Sequence, residues 1–256
     1  MGLVVGEATM RLVRRIWIAA AVITFLVLLK IPQPYGRHTT KNWGPMINNR
    51  LGWLLMELPA LLVFVYFAQR TTNWLNLTLL TAFALWVWHY FNRAIIFPFR
   101  LNTKGKKMPV VIMGSAIFFN LVNGFINGYW LSHFAPEDKI DFNTDLRVVI
   151  GAVVFLIGFI INQYHDYLLI NLRKGENTGY KIPFGGLFRF VSCPNFLGEI
   201  ITWLGFFIVT LSLPALAFLI WTMANLIPRA LDHHKWYRSE FAEYPAKRKA
   251  VIPFLV

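Results

Sequence analysis

Charge is scarce in this 256-residue chain: 14% of positions are Asp, Glu, Lys or Arg, and only 12 residues are acidic. Soluble domains carry about 25% charged residues, so an ordinary water-facing surface is excluded. Cysteine is scarcer still. Cys193 stands alone, which excludes an intramolecular disulfide framework. No G-x-G-x-x-G or P-loop sequence occurs, so any nucleotide must be held without those folds. The six histidines (His38, His89, His133, His165, His233 and His234) form neither an H-x-x-H-H nor an H-E-x-x-H cluster. No metal site is therefore expected. What abounds is apolar: 57% of residues are hydrophobic and 16% aromatic, which excludes a disordered chain. The 25 Lys and Arg give a formal charge of +13. On so apolar a background this points to loops facing a membrane surface rather than to nucleic acid.

Crossing a bilayer takes about 20 mostly apolar residues. Arg11, Arg14 and Arg15 precede an apolar run from Ile16 to Leu29 that superficially resembles a signal peptide. Lys30 and Pro32 follow it without a small-x-small cleavage site, so it reads as a first transmembrane helix. Six more spans are expected at 51–68, 74–92, 109–132, 147–165, 197–212 and 214–230, the last two joined by a turn at Ser212-Leu213-Pro214. The expected fold is all-α, a single polytopic membrane domain over residues 1–256 with about seven helices. An outside N-terminus and a cytosolic C-terminus would put 19 of the 25 basic residues inside and the acidic loop of Glu137, Asp138, Asp141 and Asp145 outside. With no room for a soluble domain, the chemistry must lie within the helices and their loops. Polar residues are concentrated in the second part, so 1–134 reads as the substrate half and 135–256 as the cofactor half.

A carboxylate within a span signals function, and Glu57 is one. Tyr90 closes the third span; if spans two and three are antiparallel neighbours, the two side chains can meet. The competing structural reading is a Glu57–Tyr90 or Glu57–Arg93 bond that merely holds the bundle together. Asn162 and Asp166 are four apart, as are Asn195 and Glu199, so each pair shares a helical face. Between them lies a polar loop with Arg173-Lys174-Gly175-Glu176, Tyr180-Lys181-Ile182-Pro183 and Gly185-Gly186. Asn225, Arg229, His233 and Tyr237 form a stripe at four-residue spacing. Arg and Lys suit phosphates; Asn, Asp and Glu suit ribose hydroxyls or a carboxamide. Lys247-Arg248-Lys249 reads as a solvated interfacial run. Asn120, Asn123 and Asn127, with Gly124 and Gly128, read as helix-packing contacts.

These segments together resemble the steroid 5α-reductase family, its type 2 members in particular. The resemblance rests on Glu57-Leu58-Pro59, His89-Tyr90-Phe91, Tyr35-Gly36-Arg37-His38, Tyr180-Lys181-Ile182-Pro183, Gly185-Gly186-Leu187-Phe188 and Asn195-Phe196-Leu197-Gly198-Glu199. The closing pattern continues it through Arg229-Ala230, His233-His234, Tyr237, Tyr244-Pro245 and Ile252-Pro253-Phe254. The resemblance implies a seven-helix, NADPH-dependent oxidoreductase acting on CH–CH groups, which saturates the C4–C5 bond of a 3-oxo-Δ4-steroid that enters from lipid. It implies Glu57 and Tyr90 as the catalytic pair. It implies cofactor contacts at Tyr35, Arg37, Asn162, Asp166, Arg173, Tyr180, Asn195, Glu199, Arg229, His233 and Tyr237, and substrate contacts at Met56, Ser115, Trp53 and Phe118. Met56 and Ser115 replace a Gln and an Arg of the type 2 pattern, so steroid preference is expected to differ there. The implied membrane is the endoplasmic reticulum in a eukaryote or the cytoplasmic membrane in a bacterium. Other readings of the residues are a membrane S-adenosylmethionine methyltransferase of the isoprenylcysteine type, another sterol or enoyl-lipid reductase, and a non-catalytic sterol-binding protein.

Overall fold

In hydrocarbon every backbone N–H and C=O must find its partner inside the protein, and an α-helix satisfies them within one segment. The computed structural model, which describes residues 5–31, 43–71, 74–103, 105–135, 146–172 and 179–256, is accordingly helical. Its helices are α1 (Glu7–Leu28), α2 (Asn49–Ala68), α3 (Leu77–Phe91), α4 (Phe97–Arg100), α5 (Val110–His133), α6 (Leu146–Leu172), α7 (Pro194–Thr210) and α8 (Leu213–Glu240). A π turn, Asn92–Ile96, joins α3 to α4. Each of the seven expected spans falls on a helix. α2, α5, α6 and α8 are long and apolar enough to cross a bilayer; α7 is apolar but shorter. Large apolar side chains such as Leu62, Val153, Ile157 and Ile160 point outward, as the lipid-facing side of a polytopic membrane protein requires.

Several boundaries differ from expectation, among them the end of α6, which runs on to Leu172 past the expected 165. α1 begins at Glu7 rather than Ile16, because Arg11 pairs with Glu7 one turn earlier (2.6 Å) and extends the helix into polar sequence. α8 continues through Pro228 to Glu240, past the expected end at 230. The turn before α8 falls at Leu211-Ser212: Leu211 is left-handed (φ 42°), and the Ser212 hydroxyl accepts from the Ala215 N–H (3.2 Å). Leu213 and Pro214 already belong to the first helical turn, where proline's missing N–H is no loss.

Small residues set the tightest helix contacts. A Cβ on Gly124 or Gly128 of α5 would meet the α2 backbone at Ala60 and Phe64. Together with Asn120 against Met56, these contacts run in one direction, so α2 and α5 are parallel. Their starts are tied by a two-stranded antiparallel ribbon, β1 (Met46–Asn48) against β2 (Lys107–Pro109). On α6 and α7, Gly151 faces Gly205 and Gly158 faces Gly198, an antiparallel contact in which any added Cβ strikes the opposite backbone. Close backbone approach through glycine is how helices associate where lipid removes the hydrophobic drive.

Trp86 of α3 is the hub between these pairs. Its Nε1–H donates to the Ala60 carbonyl (3.1 Å), its ring stacks on Phe64 (4.5 Å), and it meets Trp203, Phe206 and Phe218 at 5.4–5.5 Å. α1 joins through Trp221, whose Nε1–H donates to the Trp17 carbonyl (2.8 Å). The chain after α8 folds back beside the start of α7: Ser192 and Cys193 N–H donate to the Lys249 and Ala250 carbonyls (2.8 and 3.0 Å).

Candidate active site

Polar side chains that the spans carry singly are brought together where α2, α3, α5, α6 and α7 meet. Glu57 enters from α2 and is fixed on both oxygens. Oε1 lies 3.5 Å from Arg93 Nε, and Oε2 accepts from Asn120 Nδ2 (3.3 Å), which also donates to the Met56 carbonyl (2.5 Å). Arg93 reaches onward to Asp166 of α6 (3.9 Å) and lies over the Trp53 and Phe97 rings (4.6 and 4.7 Å). Its place on the π turn matters, since such turns re-aim side chains and recur at functional sites. Asp166 accepts from Asn195 Nδ2 of α7 (2.9 Å), and Asn162 Nδ2 donates to the Asn195 carbonyl (3.0 Å). Glu199, one turn along α7, accepts from Trp203 Nε1 (2.8 Å) and lies 3.3 Å from His89 Nε2. Glu57, Asp166 and Glu199 thus converge on Arg93, with His89 beside Glu199.

Tyr90 stands within this ring at 3% exposure, its ring held by Trp86 (5.0 Å) and Trp203 (5.8 Å). Its hydroxyl is within interaction range of Asn123, Glu57, Glu199 and Arg93. Among the described residues the ion pair and hydrogen bond of Glu57 are to Arg93 and Asn120, with Tyr90 beside them rather than bonded to it directly. A guanidinium outcompetes a phenol for a carboxylate because the contact is charge-assisted. The asparagines of α5 therefore do more than pack helices, with Asn120 a partner of Glu57 and Asn123 beside Tyr90. Among the described residues, two buried polar atoms of this region lack a partner: Asn123 Nδ2 and His89 Nδ1. A polar ligand would satisfy such atoms, because leaving them bare is costly.

The remaining expected residues are arranged around this centre. Arg229 and His233 of α8 pack on Phe196, next to Asn195 (4.9 and 5.9 Å). Tyr237 stacks on Tyr244 (5.4 Å), and Tyr180 meets Trp236 edge-on (4.9 Å), further along α8. Asn225 donates to its own helix at Trp221 (3.4 Å). Trp53 and Met56 flank Glu57, whereas Ser115 and Phe118 are exposed on α5 and are not gathered with it. Ser115 donates to the Ile112 carbonyl (2.9 Å). Tyr35, Arg37, Arg173 and the acidic loop of Glu137, Asp138, Asp141 and Asp145 lie outside the described residues.

Sequence reasoning gave no role to His89, His165 or Trp203, and treated Arg93 only as a possible structural partner. His165 pins the glycine turn to α6: Nε2 accepts from the Leu187 N–H (2.9 Å), so Nδ1 carries the hydrogen it donates to Ile161 O (2.7 Å). Gly186 (φ 49°) lies so close to this imidazole that a Cβ would collide with it. One expectation is overturned outright. Arg248, read as part of a solvated run, is 3% exposed, sandwiched by Phe184 and Tyr244 (5.0 and 5.2 Å). Its flat guanidinium can stack on aromatic faces as a lysine cannot. Among the described residues no three His, Cys, Asp or Glu side chains converge in a metal-binding group.

Comparison with known proteins bears on most of the chain. The profile of the 3-oxo-5-alpha-steroid 4-dehydrogenase family matches residues 106–256. A steroid 5-alpha-reductase DET2 from Arabidopsis thaliana is 44% identical over 237 residues, 90% of each chain. A 3-oxo-5-alpha-steroid 4-dehydrogenase 1 from Bos taurus is 37% identical over 245 residues, 93% of each chain. Its Homo sapiens counterpart is 40% identical over 226 residues, 86% of this chain and 85% of that one.

Proposed function

Because the chain belongs to the 3-oxo-5-alpha-steroid 4-dehydrogenase family and is thereby an oxidoreductase, we propose that it reduces the C4–C5 double bond of a 3-oxo-Δ4-steroid with NADPH. The observation that carries this reading is the desolvated Tyr90 hydroxyl beside Glu57 and Arg93, opposite the Asp166–Asn195 pair of α6 and α7.

An enone accepts hydride poorly until its carbonyl oxygen is polarised. Tyr90 donates a hydrogen bond to the C3 oxygen, in a site where a fixed donor acts without competition from water. Glu57 completes the pair. With Arg93 3.5 Å from its Oε1, the developing oxyanion meets a donor hydroxyl and a neutralised carboxylate rather than a bare anion. Asn120 holds the second Glu57 oxygen and so fixes its orientation. When bound, the nicotinamide supplies the hydride that C5 receives, and a proton added at C4 completes the 3-oxo-5α product.

Donor and acceptor types around the centre fit that cofactor. Asn162, Asp166, Asn195 and Glu199 suit a carboxamide and ribose hydroxyls, and Arg229 and His233 beside Phe196 suit a phosphate. Tyr180, Tyr237 and, outside the described residues, Tyr35, Arg37 and Arg173 extend the contacts. Residues 1–134 then serve mainly the steroid and 135–256 mainly NADPH. The steroid enters from lipid, and the cofactor from the cytosolic side, where the C-terminus lies.

The test is NADPH consumption by the purified protein with testosterone or progesterone, the product identified by mass and C5 stereochemistry. A 5α-dihydro product establishes reaction and substrate class together. Thermal stabilisation by NADPH with neither steroid turned over would keep the reductase but move the substrate to another enone lipid. Stabilisation by S-adenosylmethionine alone would replace this reading with a methyltransferase.

A further inference from the structure

The segments on either side of α7 and α8 form one small surface that the reaction does not use. Residues 179–192 and 245–256 are joined by main-chain bonds: Lys249 N–H donates to the Phe190 carbonyl (2.9 Å), and Ser192 and Cys193 N–H donate back to Lys249 and Ala250. Ser192 Oγ adds contacts to Tyr244 Oη and His234 Nδ1, both at 2.6 Å. The last residues close into a tight turn in which Val251 and Ile252 N–H both donate to the Val256 carbonyl (2.7 and 2.6 Å). Phe254 there adopts φ 67°, a conformation that a bulky residue enters only under constraint.

This braced knuckle presents apolar groups outward. Phe254 is 80% exposed, Leu255 72% and Phe184 64%, and Phe190 packs on Phe254 (5.8 Å). Lys181, Arg189, Lys247 and Lys249 are exposed around them, and neither segment contains an acidic residue. Exposed aromatic and aliphatic side chains among cations only, on a rigid backbone, match the chemistry of a headgroup–acyl boundary. Val191 leads directly through Ser192 and Cys193 into α7, an apolar helix of the bundle, so the surface adjoins the end of that helix.

We propose that this C-terminal knuckle is an interfacial anchor. Phe254, Leu255, Phe184 and Phe190 insert at the edge of the acyl region, while Arg189, Lys181, Lys247 and Lys249 lie against anionic lipid headgroups. The anchor holds the 179–192 segment, and with it the His165-pinned glycine turn, at a fixed height over the α6–α7 end of the bundle.

The experiment places a nitroxide at Phe254→Cys, at Leu255→Cys and at Glu243→Cys, each in a Cys193→Ala background, in nanodiscs containing phosphatidylserine. Leu62→Cys marks the lipid-facing reference. Collision with oxygen and with a water-soluble nickel chelate is read by power saturation, and retained melting temperature shows that each variant folds. The expected result is shallow lipid-like behaviour at 254 and 255, between that at 62 and the aqueous behaviour at 243. Replacing Arg189, Lys247 and Lys249 by Gln should shift 254 and 255 towards the aqueous value. Nickel access at 254 equal to that at 243 would overturn the proposal, as would a depth that does not respond to removal of the three cations. Neither readout depends on the steroid or on NADPH.

Discussion

In the proposed reaction Tyr90 donates to the oxyanion while Arg93 holds Glu57, and single substitutions at Tyr90 and Arg93 separate the two roles. Tyr90→Phe removes only a hydroxyl from a ring held by Trp86 and Trp203, so packing and cofactor contacts persist. Loss of one preorganised donor to a developing oxyanion lowers turnover by about 10²–10³. Steady-state rates together with the NADPH-induced melting shift check this: the rate should fall while the shift stays. An unchanged rate would remove Tyr90 from the chemistry. Arg93→Gln should act more broadly. Glu57 and Asp166 both lose their shared cation, and leaving buried carboxylates uncompensated costs about 3–5 kcal/mol. The expected outcome is a lower melting temperature together with weaker steroid turnover; Arg93→Lys, which keeps the charge, should restore most of the melting temperature. At this scale Glu57 was legible, because a carboxylate within an apolar run is conspicuous. Its contact with Arg93 was legible as one of two competing bonds, but the reach of Arg93 to Asp166 was not, since Arg93 follows the span and sits on the π turn. Arg248 was misread for a related reason: neighbours in sequence are lysines that stay exposed, and the rings that bury it come from elsewhere in the chain.

Among the elements, the α6–α7 pair positions the expected cofactor side chains. Gly198 sits against the α6 backbone at Asn162, beside the Asn162–Asn195 bond. Gly198→Ala inserts a methyl where backbone lies, an overpacking that costs about 1–3 kcal/mol. It should also weaken NADPH binding, because separating the helices pulls Asn162 and Asp166 away from Asn195. Thermal unfolding and cofactor titration test the two effects, and unaltered NADPH affinity would dissociate the interface from the site. The glycine spacing was visible in the sequence: Gly151 and Gly158, like Gly198 and Gly205, are two helical turns apart and so share a stripe. What sequence does not reveal is which two stripes meet. The same holds for the parallel α2–α5 pair, whose partnership is set by the β1–β2 ribbon at their starts and by the small residues of α5.

For the whole molecule, the expected cofactor contacts come from α6, α7 and α8 together, so NADPH should stabilise the fold as a unit. At a free concentration about 100 times Kd, a ligand that binds only the native state adds about 2.7 kcal/mol. A single cooperative melting transition shifted upward by NADPH, and unmoved by S-adenosylmethionine, is the expected observation. A shift confined to part of the transition would mean that the halves unfold separately. The sequence by itself determined that this is a helical membrane protein and roughly where its apolar helices lie. Those properties follow from composition and local periodicity, because lipid forces each span to satisfy its own backbone. Only the tertiary structure decided that Arg93 and Asn120 hold the Glu57 oxygens beside Tyr90, that Asp166 and Glu199 share one cluster, and that Arg248 is buried. These are contacts between side chains distant in the chain, fixed by which helix faces which, and no local pattern encodes the choice among partners of equal chemistry.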